Sequence, residues 1–229
     1  MNAADLILIP LKGADKSDLA GLRREICRDH VRSSVKIVEF ELPRRDAENP
    51  SYREGVDDWH DAIAEAWETH VRAHLDPEAG GCVALLVWGD PSLYDSTLRI
   101  AERVGKRLPL RTRVIPGITA IQGLCAAHAI PLNEIGAPVQ ITTGRQLRDN
   151  GWPDGVDTIV VMLDGDCSFQ TLSGEGFSIW WGAYVGMPQE ILLSGPLEEM
   201  TPTIVERRAA ARKDHGWIMD IYLIRRGAA

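Results

Sequence analysis

The sequence predicts an α/β protein of two units, the first built on a mostly parallel sheet and the second on a mixed one. Three observations predict it. A continuous apolar run, Val83–Trp88, leads into Gly89, Asp90 and Pro91 and then into residues at helical spacing. That is the pattern of a strand buried on both faces, a tight acidic loop and a helix, and in open parallel sheets ligands sit outside the carboxyl ends of such strands. Strand-like and helix-like stretches alternate as far as about Ile130. Beyond that point strands become more frequent, with hairpins expected near the end. The boundary is placed near Pro116, giving units 1–116 and 117–229.

Each element has its own justification. Asp5–Leu11 (DLILIPL) reads as a short strand, and Gly13–Ser17 as a loop. Asp18 is the expected cap of a helix whose apolar positions Leu19, Leu22, Ile26 and Val31 recur at helical spacing. Val35–Leu42 alternates as a second strand, and the polar stretch Pro43–Gly55 is a loop carrying Arg44, Arg45 and Arg53. Val56–Leu75 is a long helix with Trp59, Ile63, Ala66, Trp67 and Val71 on one side. After the Gly-Asp-Pro loop, Ser92 or Asp95 caps a helix running to about Leu108. Thr112–Ile115 reads as a strand closed by Pro116 and Gly117, and Thr119–His128 as a helix of small residues. Pro131–Ile135 is a loop, Val139–Thr142 a strand, Gly144–Asn150 a polar segment, and Thr158–Leu163 a clean apolar strand ending at Asp164. Phe169–Leu172 begins a short helix. Strands are expected over Ser178–Tyr184, from Ile191 to Ser194 and from Leu197 to Glu199, a helix over Pro202–Lys213 and a last strand over Trp217–Ile224.

Composition narrows the function classes. The 229 residues carry a formal net charge of -8, and an acidic surface repels phosphate backbones, so nucleic acid is not expected as a partner. No apolar run is long enough to span a bilayer, and Asp5 interrupts the opening stretch where a signal peptide would be apolar, so a cytoplasmic protein without membrane attachment is expected. None of the four cysteines forms a C-x-x-C pair, and Cys82 and Cys125 are expected as buried thiols. His70 and His74 have metal-ligand spacing but no third ligand nearby, and Asp164 and Asp166 suit a turn better than a cation, so no metal site is expected.

Four segments then line up with one family. VWGDPSLYDST resembles the G-D-P loop of the tetrapyrrole methylases. VIPGITAIQGLCAA is similar to the family's P-G-[IV]-[ST] segment, which opens its second domain. VVMLDGD resembles the apolar strand carrying a methionine, and WGAYVGMPQEILLSGPLEEM the later strand, turn and strand. The order and spacing of all four agree. The resemblance implies two αβα domains. It also implies S-adenosyl-L-methionine as methyl donor, with S-adenosyl-L-homocysteine as product, and a homodimer. The implied reaction is methylation of a tetrapyrrole ring carbon, with loss of acetate, on the way to cobalamin. Family members open with a strand and a glycine-rich loop ending in Gly-Asp. Met1–Asp5 here resembles the end of the first helix entering the second strand, so the family's first strand is expected to be missing.

The resemblance also assigns residues. Trp88, Gly89, Asp90 and Leu93 would contact the cofactor from the first unit, and Thr119, Ala120, Met162 and Ala183 from the second, with the ligand between the two. Asp90 is ranked first among them because it is an acceptor at a strand's carboxyl end, although an Asx turn would also explain it. Thr119 alternatively serves as a helix cap. Loss of acetate needs a base or an activated water, and Asp90, Tyr94 and Asp95 are the catalytic candidates, with core packing and helix-end charge as alternatives for the last two. Arg145 is the candidate for a substrate carboxylate, with Lys12, Arg44 and Arg45 in support. Two alternatives stand beside the enzyme: a tetrapyrrole-binding module without catalysis, and a nucleotide-binding α/β enzyme, the latter weakened by the lack of a G-x-G-x-x-G or P-loop.

Overall fold

The computed structural model describes residues 1–11, 17–44, 52–76, 78–172 and 176–227, without the side chains of 17–19 and 52–53. The expected loop over 13–16, most of the one between 43 and 55, and Lys12 and Arg45 lie outside the described residues. The chain divides into two compact units, Met1–Gly117 and Ile118–Ala229.

The first unit is a three-stranded, all-parallel sheet in the order β2-β1-β3, with β1 at Leu6–Leu11, β2 at Lys36–Glu41 and β3 at Val83–Leu85. The strand buried on both faces is β1, central among the described strands and covered by a layer of side chains on each face. Leu6 and Leu8 face one layer with Phe40, Ile63, Trp67, Ile100 and Val104, from β2 and from helices α2 (Tyr52–His74) and α3 (Thr97–Gly105). Ile7 and Ile9 face the other layer with Cys27 of helix α1 (Ser17–His30). Period-two alternation in one strand thus holds helices on both faces.

Two strand expectations are corrected here. The run Val83–Trp88 forms a strand only as far as Leu85, and its three strand residues are half-buried. Among the described residues β3 pairs only with β1, and the Leu86 carbonyl accepts Arg23 Nε at 3.1 Å in place of a ladder bond. Thr112–Ile115 forms no strand; among the described residues no neighbour pairs with it, and Val114 and Ile115 are exposed. Cys82 is exposed rather than buried, since it precedes that open edge strand, and Cys125 is only half-buried.

The second unit is a mixed five-stranded sheet in the order β4-β5-β8-β6-β7. Strands β4 (Val139–Thr143) and β5 (Thr158–Met162) are parallel, and β6 (Phe177–Ala183), β7 (Ile191–Pro196) and β8 (Asp220–Arg226) join antiparallel. Helix α4 (Ala120–Ala127) reaches the sheet at Gly182, where a Cβ would meet Leu124 Cδ1 at 2.8 Å. Gly144–Asn150 is a helix, α5, and Leu197–Glu199 is not a strand but the first turn of helix α6 (Leu197–His215). Glu198 and Glu199 favour that helix start through the dipole, and Thr201 Oγ1 donates back to the Leu197 carbonyl at 2.7 Å.

Candidate functional site

The loop leaving β3 is built by Asp90. Its Oδ1 accepts the Ser92 amide at 2.9 Å and the Ser92 hydroxyl at 2.6 Å, and its Oδ2 accepts the Gly117 amide at 2.9 Å. These donors hold the carboxyl below its ordinary value, the Ser92 hydroxyl most of all, so Asp90 is ionised at neutral pH. Gly89 turns through φ +72°, and Gly117 lies against it so closely that a Cβ on Gly117 would stand 2.0 Å from the Gly89 carbonyl oxygen. The Gly-Asp-Pro and Pro-Gly segments are therefore one backbone-to-backbone structure. Its apolar wall is Trp88, half-buried beneath the Arg23 guanidinium at 4.6 Å.

The loop continues into strain. Tyr94 is exposed and carries φ +47°, a conformation that costs a non-glycine residue free energy. Asp95 Oδ1 accepts the Thr97 amide at 2.6 Å, so Asp95, not Ser92, caps α3. A groove of about 510 Å³ borders the loop, lined by Pro91, Ser92, Leu98, Arg99, Glu102 and Thr112.

In the second unit the expected residues sit at element ends. Thr119 caps α4: its hydroxyl accepts the Ile121 amide at 3.2 Å and Gln122 Oε1 accepts the Thr119 amide at 3.0 Å, a capping box. Ala120 is exposed in the first turn. Met162 ends β5 half-buried, and Ala183 ends β6 with no exposed surface. Each of these strands leaves through a left-handed non-glycine residue, Leu163 at φ +54° and Tyr184 at φ +52°. Strained exits thus follow Leu93, Met162 and Ala183 directly. Arg145 is exposed in the first turn of α5. Arg44 is exposed beyond β2.

The loop after Met162 is fastened by a buried polar network. Asp164 accepts the Ser168 amide at 2.6 Å, the Ser168 hydroxyl at 2.9 Å and the Tyr222 hydroxyl at 2.6 Å. Burial and that neighbouring carboxylate push the Tyr222 phenol far up, so it stays a donor. Arg208 Nη2 donates to the Asp164 carbonyl at 2.7 Å, and Arg208 Nε pairs with Asp220 at 2.8 Å. Asp164 is thus consumed by turn bonds, and no group of three metal-ligating side chains occurs among the described residues.

A family model of the tetrapyrrole (corrin/porphyrin) methylases matches residues 1–201. The chain belongs to the tetrapyrrole methylase family. It is 51% identical over 231 residues to a curated Sinorhizobium protein named precorrin-6A synthase [deacetylating], covering 100% of this chain and 87% of that one. A solved structure from Corynebacterium diphtheriae, described as cobalamin synthesis related, superposes with a TM-score of 0.81 at 38% identity, covering 99% of this chain and 89% of the other. The uroporphyrin-III C-methyl transferase of Thermus thermophilus, solved with S-adenosylhomocysteine, shares the fold at a TM-score of 0.53 and 15% identity, over 96% of this chain and 85% of that one. In this tetrapyrrole methylase, sequence reasoning missed Gly117 as the floor of the loop, the Arg208–Asp220 pair, and a bond between His60 Nε2 and Ser96 Oγ at 2.9 Å. The signal for His60 was its place on the apolar face of α2, three residues before Ile63 and seven before Trp67.

Proposed function

We propose that the chain is an S-adenosylmethionine-dependent C-methyltransferase acting as a precorrin-6A synthase (deacetylating). It methylates C-1 of precorrin-5, and the acetyl group leaves as acetate, giving precorrin-6A and S-adenosylhomocysteine. The observation that carries this is the 51% identity, along the whole chain, to a curated protein of that name.

The residues at the strand ends suit the donor. They offer backbone groups, the apolar surfaces of Trp88, Leu93 and Met162, and the carboxylates of Asp90 and Asp95, a set that favours a ligand with apolar faces and a positive centre over a metal. The donor, when bound, supplies a methyl group already activated by its sulfonium. The chain's part is to position and to exclude water, which lowers the barrier through proximity. Asp90 holds the backbone of Trp88 and Gly89 in place through Ser92 and Gly117, and the Asp164 network does the same for Met162. Thr119 and Ala120 present the N-terminal turn of α4, and Ala183 contributes through the strained exit of β6. Arg145 and Lys12 meet the macrocycle's carboxylates. The protein works as a cytoplasmic homodimer on a small-molecule tetrapyrrole, without nucleic acid or membrane partners.

The test is a reaction of the purified protein with precorrin-5 and methyl-labelled donor. One labelled methyl per macrocycle and one acetate per turnover are expected. Methylation of a different tetrapyrrole in preference to precorrin-5 would overturn the substrate assignment.

A further inference from the structure

Ser96 directly precedes α3, at the capping position, yet its side chain makes no bond to the helix's first amides. The hydroxyl turns instead to His60 Nε2, 2.9 Å away on α2. His60 is 4% exposed, and its Nδ1 is buried with no hydrogen-bond partner among the described residues. A tie between two helices does not need an imidazole, and a buried ring nitrogen left unbonded is a standing cost that a purely structural link would avoid. The charged groups acting on the ring are Asp57 and Asp61 from α2 and Arg99 and Arg103 from α3. Arg103 is paired with both aspartates at 2.8 Å. Burial and the two arginines hold His60 below its ordinary value, so at neutral pH it is the free base. Ser96 itself is half-buried and directly follows the Tyr94–Asp95 end of the candidate loop.

We propose that Ser96 and His60 are the hydrolytic pair that removes the acetyl group, an assignment that rests on the deacetylating reading above. Ser96 Oγ attacks the acetyl carbonyl carbon while His60 Nε2 takes the hydroxyl proton. The bond between that carbonyl carbon and the ring breaks. Its electron pair passes into the conjugated macrocycle, which becomes the nucleophile that methylation requires, and the acetyl group stays on Ser96 as an ester. His60 gives its proton to solvent. A water then attacks the ester carbonyl, His60 takes the proton of that water, Ser96 regains a hydrogen, and acetate departs. In sum, one water is consumed, one C–C bond is cleaved, and acetate and two protons are released for each methyl accepted by the ring. Ser96 stands at the N-terminal, positive end of the nine-residue helix α3, where a developing negative charge is favoured.

Two variants separate this role from a structural one. Gln at position 60 can still bond the Ser96 hydroxyl but takes no proton, and Ala at position 96 removes the nucleophile. His60→Gln and Ser96→Ala should each bind S-adenosylhomocysteine within about twofold of the parent, yet release acetate at least about a hundredfold more slowly. Rapid quenching of the parent with precorrin-5, followed by peptide mass analysis, should find an acetyl group on Ser96. Acetate release within about threefold of the parent in both variants would overturn the pair and leave the methyltransferase intact. A parent protein that neither binds S-adenosylhomocysteine nor releases acetate would overturn the function, and the pair with it.

Discussion

Gly117 shows how little room the loop leaves. Because its missing side chain is replaced by the Gly89 carbonyl at 2.0 Å, Gly117→Ala has to push two backbone segments apart. It should destabilise the first unit by about 2 kcal/mol, the scale of core overpacking, measurable by denaturant unfolding, and weaken S-adenosylhomocysteine about tenfold. His60 gives a prediction in pH. Its folded pKa lies below the ordinary 6.5 of an unfolded chain. Above pH 6.5 both states are neutral there and the titration of His60 adds nothing; below it the unfolded chain binds a proton that the folded one does not. Stability should therefore fall as pH drops through 6.5 toward the folded value, and thermal melts of His60→Gln should lack that part of the decline.

Helix α6 is held to the sheet by Arg208, whose pair with Asp220 leaves their side chains only 10% and 7% exposed. Trp181 Nε1 also donates to Asp220, at 3.1 Å. Removing the guanidinium strands a buried carboxylate, so Arg208→Ala should cost about 3 kcal/mol and free the turn after Met162, seen as faster amide exchange at Gly165 and Asp166. This network was not legible in the sequence, because Arg208 reads as one more charge on a helix of mixed charges and its partner opens the strand that follows. The strand β5 was legible, since Ile159–Val161 are apolar and fully buried. Val83–Trp88 misled for a physical reason: an apolar run states what a strand would bury, not whether a neighbour exists to pair with it.

Across the whole chain, the motifs conveyed the family and the order of units, while bonding conveyed how the motifs work. Asp90 illustrates the gap: the sequence singled it out as an acceptor for a ligand, and the structure spends its two oxygens on Ser92 and Gly117. In the proposed binding mode its part is then to fix the loop that Trp88 and Gly89 belong to. Sheet topology explains the rest of what was hidden, since pairings such as Trp181 with Tyr222 join residues far apart in sequence. The account depends on these strand-end loops holding the methyl donor. Calorimetric titration of S-adenosylhomocysteine into the purified chain tests that most directly. Micromolar affinity, weakened in Asp90→Ala, is the predicted result; the absence of binding at millimolar ligand, or an affinity untouched by Asp90→Ala, would contradict it.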